Sequence, residues 1–294
     1  MEPSYFSRIL VPLDGSELAE RTLAPALALS EAMTSKIIFL RVIETSSLPR
    51  DPDMYQRMIE RYESEVKYYL RSLQSRSLFS AINTESITAA GRPAESIINY
   101  TQKNDVDLIV MSSQDRSGVG RWFFGSVADR VLHGATCDVL LIHPQVDIDP
   151  FSYKRILVPL DGSSLAEQAL EPAFELAKAV SAELLLLRAV VLPLVPVEPV
   201  LGWQGTDAVM DTDGNEARRY LLDVKRALDK SPVPTNVDVV PGPAANAIID
   251  YADGEEIDLI VMSSRGLSGI SRWVFGSVTE KVLRGANCAT LVIR

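Results

Sequence analysis

The sequence predicts an α/β fold written twice in tandem. Each copy is a doubly wound domain, with a five-stranded parallel sheet in the order 3-2-1-4-5 and helices on both faces. Three observations predict it. Ile9-Leu-Val-Pro-Leu-Asp-Gly-Ser16 returns letter for letter as Ile156 to Ser163, half of the 294-residue chain later. Asp107 to Ser113 begins Asp-Leu-Ile-Val-Met-Ser-Ser and returns as Asp258 to Ser264, and Gly125-Ser-Val127 returns as Gly276 to Val278, each after an Arg-Trp pair. Within each copy, short apolar runs alternate with segments of helical spacing, the pattern of a parallel sheet covered on both sides. The period is far longer than that of a solenoid repeat, so a whole domain is duplicated, with halves 1–146 and 147–294.

In the first copy Arg8 to Leu13 is a continuous apolar run ending at Asp-Gly-Ser, which reads as a buried strand followed by a helix start. Ser16 is the expected N-cap of a helix running from Leu18 to Met33. Lys36 to Ile43 is the second strand, and Asp53 to Arg76 mixes charges with apolar residues as an exposed amphipathic helix does. Ala81 to Ala89 is the third strand, followed by a helix from Pro93, with its proline in the first turn, to Lys103. Val106 to Ser112 is the fourth strand, Gly125 to His133 the fourth helix, and Asp138 to His143 the fifth strand. The second copy repeats this order, except for a proline-rich apolar stretch from Val191 to Asp207 that replaces a shorter polar link. That stretch is expected to pack over the second copy's pocket or against another chain, anchored by Trp203. The fifth strands, Asp138–His143 and Ala289–Ile293, would otherwise be bare sheet edges, so they are the expected seam of an intrachain pseudo-dimer. Whether two chains then pair as a homodimer is left open.

Composition sets limits on the partners. The chain is 47% hydrophobic and 23% charged, as ordinary globular proteins are. Its net charge of −10 disfavours nucleic acid and anionic lipid, and no basic patch offsets it. The two cysteines, Cys137 and Cys288, form no CxxC pair and no zinc-spaced cluster with histidine, so no metal site is expected. The N-terminus lacks a signal-peptide pattern, and the greasiest run, Leu184 to Val197, is interrupted by Arg188, Pro193 and Pro196. A cytoplasmic location with no membrane partner is the expectation.

Ligands of open α/β sheets bind beyond the carboxyl ends of the strands, where the strand order reverses. Two features of each copy fall there: the aspartate after the first strand (Asp14 or Asp161) and the long turn after the fourth. In the second copy that turn runs Ser263-Ser-Arg-Gly266-Leu-Ser-Gly269 and on to Gly276-Ser277. Glycines permit close backbone approach, and Gly276-Ser277 opens a helix whose free amides favour phosphate. A tight strand-to-helix turn with no ligand uses glycines in the same way.

These residues, with Gly91-Arg-Pro-Ala94 ahead of the third helix, resemble the universal stress protein family in its tandem form over essentially the whole chain. The resemblance implies an ATP-binding protein of the stress response, with the pattern G-x2-G-x9-G-[ST] in the turn and the first-strand aspartate meeting adenine. The second copy reads Ser263-x2-Gly266-x9-Gly276-Ser277, so only the first glycine has changed. The implied nucleotide-binding residues there are Pro159, Leu160, Asp161, Ala189, Met262, Ser263, Arg265, Gly266, Gly269, Gly276, Ser277 and Val278. A weaker site in the first copy comprises Pro12, Asp14, Val42, Gly118, Gly125 and Ser126. There Ser112 and Asp115 stand where two of the pattern's glycines belong. At an effective dielectric of ~20, two unit charges ~4 Å apart repel by ~4 kcal/mol, so Asp115 opposes a phosphate chain unless Mg2+ bridges the two.

The turn lacks the G-K-[ST] ending of a Walker loop, and Gln114 and Arg265 stand where family members often have histidine. The two histidines, His133 and His143, lie near the ends of the fourth helix and fifth strand, and no catalytic residues are assigned. ATP, with or without Mg2+, is the implied cofactor. A regulatory nucleotide-binding module, a slow ATPase or phosphotransferase and a pseudo-dimer that binds no nucleotide all stand as readings.

Overall fold

The repeated Arg-Ile-Leu-Val-Pro runs become the central strands of the two halves. The computed structural model describes residues 5–113, 124–149, 151–191, 205–228, 233–264 and 275–294. The first half contributes β1 (Arg8–Pro12), α1 (Glu17–Glu20), α2 (Leu23–Met33), β2 (Lys36–Glu44), α3 (Pro52–Gln74), β3 (Thr84–Gly91), α4 (Pro93–Lys103), β4 (Leu108–Ser112), α5 (Gly125–Gly134) and β5 (Asp138–Ile142). The second follows as β6 (Arg155–Pro159), α6 (Ser164–Glu167), α7 (Leu170–Val180), β7 (Glu183–Val190), α8 (Gly205–Leu228), β8 (Thr235–Pro241), α9 (Ala244–Gly254), β9 (Leu259–Ser263), α10 (Ser277–Gly285) and β10 (Ala289–Ile293). All pairings within a half are parallel, and each half has the expected order 3-2-1-4-5.

The halves share one ten-stranded sheet, ordered β3-β2-β1-β4-β5-β10-β9-β6-β7-β8. Its seam is the antiparallel pair β5–β10, with Leu141 opposite Thr290, Leu140 opposite Leu291 and Val139 opposite Val292. Every residue of both strands is buried, so the pairing removes two sheet edges from water and satisfies their backbone groups. On one face a single apolar core runs unbroken through both halves, joining Phe39 and Leu140 to Leu291 and Leu186. There α2 packs against α7, and the buried Tyr153 hydroxyl donates to the Pro25 carbonyl at 3.3 Å. On the other face α5 meets α10, with the Arg284 guanidinium 4.6 Å from the Phe124 ring centre and His133 edge-on to Phe275.

Charges at the seam break its two-fold symmetry. The Arg294 backbone N–H donates to Asp138 Oδ1 at 2.9 Å, and its guanidinium donates to the Leu132 carbonyl. At the matching place in the first half stands His143, whose Nδ1 lies 3.2 Å from Ser113 Oγ in a fully buried pair. Burial pushes the Asp138 carboxyl up to about 6, outweighing the attraction of Arg294. Burial likewise pushes His143 down to about 4.

Two local expectations are corrected. The helix expected from Leu18 to Met33 is two helices, broken at Arg21 and Thr22. Pro25 has no N–H to give and its ring crowds the preceding turn, so the chain restarts with the proline in a new first turn. Pro172 does the same between α6 and α7. The third strand begins at Thr84 rather than Ala81, because a 3-10 turn at Ser77–Phe79 first seats Phe79 against Phe39, ring centres 5.1 Å apart. It then extends to Gly91, because β2 offers partners as far as Glu44. The apolar stretch with Trp203 lies, for residues 192–204, outside the described residues. Among the described residues, no helix is long and apolar enough to cross a membrane.

Placing a carboxylate in the seam, as in Leu141→Asp, leaves an unpaired buried charge and should cost about 3 kcal/mol or more. Limited proteolysis should then cut the connection at 144–154 faster than in the parent; an unchanged pattern would contradict this seam. The seam's two titrating groups have opposite linkage. Asp138, raised from 3.8 to about 6, favours folding most in acid and loses that contribution as pH rises through 6. His143, lowered from 6.5 to about 4, contributes fully above 6.5 and loses it as pH falls toward 4. Asp138→Asn should therefore make stability climb more steeply between pH 4 and 6.5, and His143→Gln should make it decline. Denaturant titrations across that window check both; parental slopes in both variants would refute the assignment.

Candidate functional site

β1 and β4 share only two rungs, Ile9 with Leu108 and Leu10 with Ile109. A carboxylate pins the pair at its entry, where Asp107 Oδ2 accepts the backbone N–H groups of Ser7 and Arg8, each at 2.8 Å. Beyond Leu10 no rung follows, and the strands part at their carboxyl ends. β6 and β9 repeat this, with Ile156 opposite Leu259, Leu157 opposite Ile260, and Asp258 accepting from Lys154 and Arg155 at 2.8 Å. In each half the opening falls where the strand order reverses.

In the first half the opening leads into a cavity of about 460 Å³. Pro12, Asp14, Val42, Gly125 and Ser126 all line it, so the structure brings together the described members of that half's predicted site. The Asp-Gly-Ser turn fixes Asp14: the Ser16 backbone N–H donates to its Oδ1 at 2.9 Å and the Ser16 hydroxyl to the same oxygen. That hydroxyl also caps α1 by accepting the Ala19 N–H at 3.1 Å. Both bonds fall on Oδ1, which leaves Oδ2 without a partner among the described residues. Across the opening Gly125 starts α5 at φ +76°, a left-handed conformation that favours glycine, and the first residues of the helix face the cavity.

The second half places its residues in the same register. Pro159 ends β6, Leu160 and Asp161 follow it, Ala189 lies near the end of β7, and Met262 and Ser263 end β9. Gly276 is the N-cap of α10, which opens with Ser277 and Val278. Its φ of −62° is one that any residue adopts, unlike that of Gly125. Asp161 accepts the Ser163 backbone N–H at 2.9 Å. Partial burial pushes its carboxyl up, but hydrogen bonds from Ser163 and the charge of Arg188 prevail and hold it below the usual range. Gly118, Arg265, Gly266 and Gly269 lie outside the described residues, as do Gln114 and Asp115.

Neither histidine lines the cavity: His143 is buried at the seam, and His133 sits at the far end of α5. Burial pushes the thiols of Cys137 and Cys288 up to about 11 and about 12, which disfavours the reactive thiolate at neutral pH. Among the described residues, no group of three or more His, Cys, Asp or Glu is placed to hold a metal ion.

The model of the Universal stress protein family matches the chain twice, at residues 6–143 and 152–294. The chain belongs to that family. A universal stress protein from Methanocaldococcus jannaschii is 33% identical over 143 residues, covering 48% of this chain and 82% of its own. One from Bacillus subtilis is 30% identical over 146 residues, covering 47% of this chain and 99% of its own. The crystal structure of a universal stress protein from Archaeoglobus fulgidus covers 98% of both chains with a TM-score of 0.73 at 23% identity, so the fold of both halves recurs there.

In this universal stress protein, sequence reasoning passed over one constellation that the fold assembles twice. Arg41 on β2 lines the cavity, donates to the Leu13 carbonyl at 3.4 Å and stands over the Tyr69 ring at 5.8 Å. The Tyr69 hydroxyl donates to Glu20 at 2.9 Å. Arg188 stands over Tyr220 at 5.1 Å, and Tyr220 donates to Glu167 at 2.8 Å. Aligning the copies residue by residue pairs these positions, which is the signal that would have found them. Gly15 and Gly162, at φ +78° and +86°, leave room for the guanidinium groups. A Cβ on Gly15 would lie 2.8 Å from Arg41 Nη1, and one on Gly162 would lie 3.4 Å from Arg188 Nη1. Both Gly→Ala changes should cost about 1 kcal/mol through backbone strain, and Gly15→Ala should cost more because it also displaces Arg41. Equal losses in denaturant titration would show that the closer approach of Arg41 has no energetic weight.

Proposed function

We propose that this chain is an ATP-binding regulatory protein of the stress response, with ATP held mainly in the second half and a smaller adenine ligand, adenosine or AMP, accepted in the first. The observation that carries the reading is the first half's cavity at the strand-order reversal, whose lining positions at the strand ends and helix start recur in the second half. Its volume of about 460 Å³ lies within the range of about 300–1,000 Å³ usual for small-molecule sites. It joins a carboxylate, an apolar wall and a glycine-opened helix start. An acceptor-only carboxylate suits the 6-amino group of adenine and repels the 6-oxo group of guanine. Pro12, Val42 and Met111 offer apolar surface to a base, and the free amides at the start of α5 suit an anion.

The two halves differ at the phosphate end. Asp115 puts a charge on the first half's turn, whereas the second has Gly266 at that position and adds Arg265. The positions of both histidines favour binding over turnover, with an output in conformation or partner choice. Titration of the full chain with ATP, with and without Mg2+, should give close to one ATP per chain. Gly266→Asp should abolish that site, and Asp115→Gly should add a second. Two equal ATP sites in the parent, or full binding after Gly266→Asp, would overturn the assignment.

A further inference from the structure

We propose that Arg41 and Arg188 are positioning residues that set base selectivity, each locking the neighbouring aspartate, Asp14 or Asp161, into its ligand-facing arrangement. The inference rests on the adenine-nucleotide reading above and deepens it. Each guanidinium lies against the Asp-Gly turn, where a Cβ on Gly15 would collide with that of Arg41 and one on Gly162 would just touch that of Arg188. In the first half it bonds the Leu13 carbonyl, directly before Asp14.

The guanidinium is itself held from behind. Tyr69 comes from the outer helix α3 and Glu20 from the short helix α1, so their hydrogen bond ties two helices to the underside of the arginine. Tyr220 of α8 and Glu167 of α6 do the same beneath Arg188. A planar, permanently charged group over an aromatic face has little freedom, and a lysine there would keep the charge without the flat stack. Partial burial raises both tyrosine hydroxyls, with the adjacent carboxylate adding to it, so each stays protonated as the donor.

Helix packing alone does not account for the set. Arg76 also bonds Glu20, at 2.8 Å, yet the matching residue in the second half is Ala227. The arginine–tyrosine–glutamate set is thus present in both halves while an ion pair beside it is not. What the two sets share is contact with the turn that bears the aspartate. An aspartate held rigid and ionised discriminates an amino donor from an oxo acceptor; one free to swing accommodates either.

The test is equilibrium binding of ATP and of GTP to the full chain, in the parent, Arg188→Met, Arg188→Lys and Tyr220→Phe, with thermal unfolding of each. The parent should prefer ATP. Arg188→Met should reduce that preference about tenfold, equivalent to ~1.4 kcal/mol, by weakening ATP while leaving GTP within about twofold. Arg188→Lys should recover part of the preference, and Tyr220→Phe, which removes one hydroxyl, should lose about threefold. If Arg188→Met does not fold, Tyr220→Phe carries the same comparison. A parent that prefers ATP, with variants that keep its preference or lose both nucleotides in equal proportion, overturns this inference alone. A parent that binds neither nucleotide overturns the proposed function and this inference with it.

Discussion

Two rungs and one carboxylate hold the first strand of each half to the fourth, and the rest of the molecule is arranged around that short contact. Asp107 and Asp258 each accept two backbone N–H groups at the entry of their strand pair, where the neighbouring strand cannot satisfy them. A charge-assisted bond of this kind is stronger than a neutral one, so the strands are fixed at one end and free to part at the other. The sheet grows outward from this point in both directions. The opening is consequently the place where the strand order reverses and, in the first half, where the packed side chains leave a cavity.

The second organising feature is the seam. A five-stranded sheet ending in β5 would present a largely apolar edge strand, and the duplicated copy covers it with a similar edge of its own. Joining the halves in one chain makes this pairing intramolecular and frees the two partners to diverge. They have diverged: Asp138 meets the backbone of Arg294 on one side of the pseudo-axis, and Ser113 meets His143 on the other. The two buried ionisable groups have opposite linkage, so across mild acid each opposes the other's effect on stability.

Around the opening, the apolar and charged parts of the site sit on opposite faces of the strand ends. On β2, Val42 belongs to the face covered by α4 and α5, and Arg41 to the face covered by α3. Alternation along one strand thus supplies an apolar surface and a charged side chain to the cavity from consecutive residues. Tyr62 and Val66 of α3 also line the cavity, so the outer helix is at once its wall and the anchor of the arginine.

The duplication, the strand order, the seam and the end of the sheet at which the strands part were all legible in the sequence. These follow from exact repeats, from apolar runs of strand length and from the need to cover edge strands, all local or near-local properties. The resemblance to the universal stress protein family grouped Pro12, Asp14, Val42, Gly125 and Ser126, and the fold lines one cavity with all five. Tertiary structure alone decided the rest. The late start of β3 depends on where Phe79 finds Phe39. Arg41, Tyr69 and Glu20 come from three separate elements, and each read alone is an ordinary partly exposed polar residue. Only packing α3 across the ends of β2 and α1 brings them into contact, since side-chain pairing across elements depends on distances that no single stretch of sequence contains.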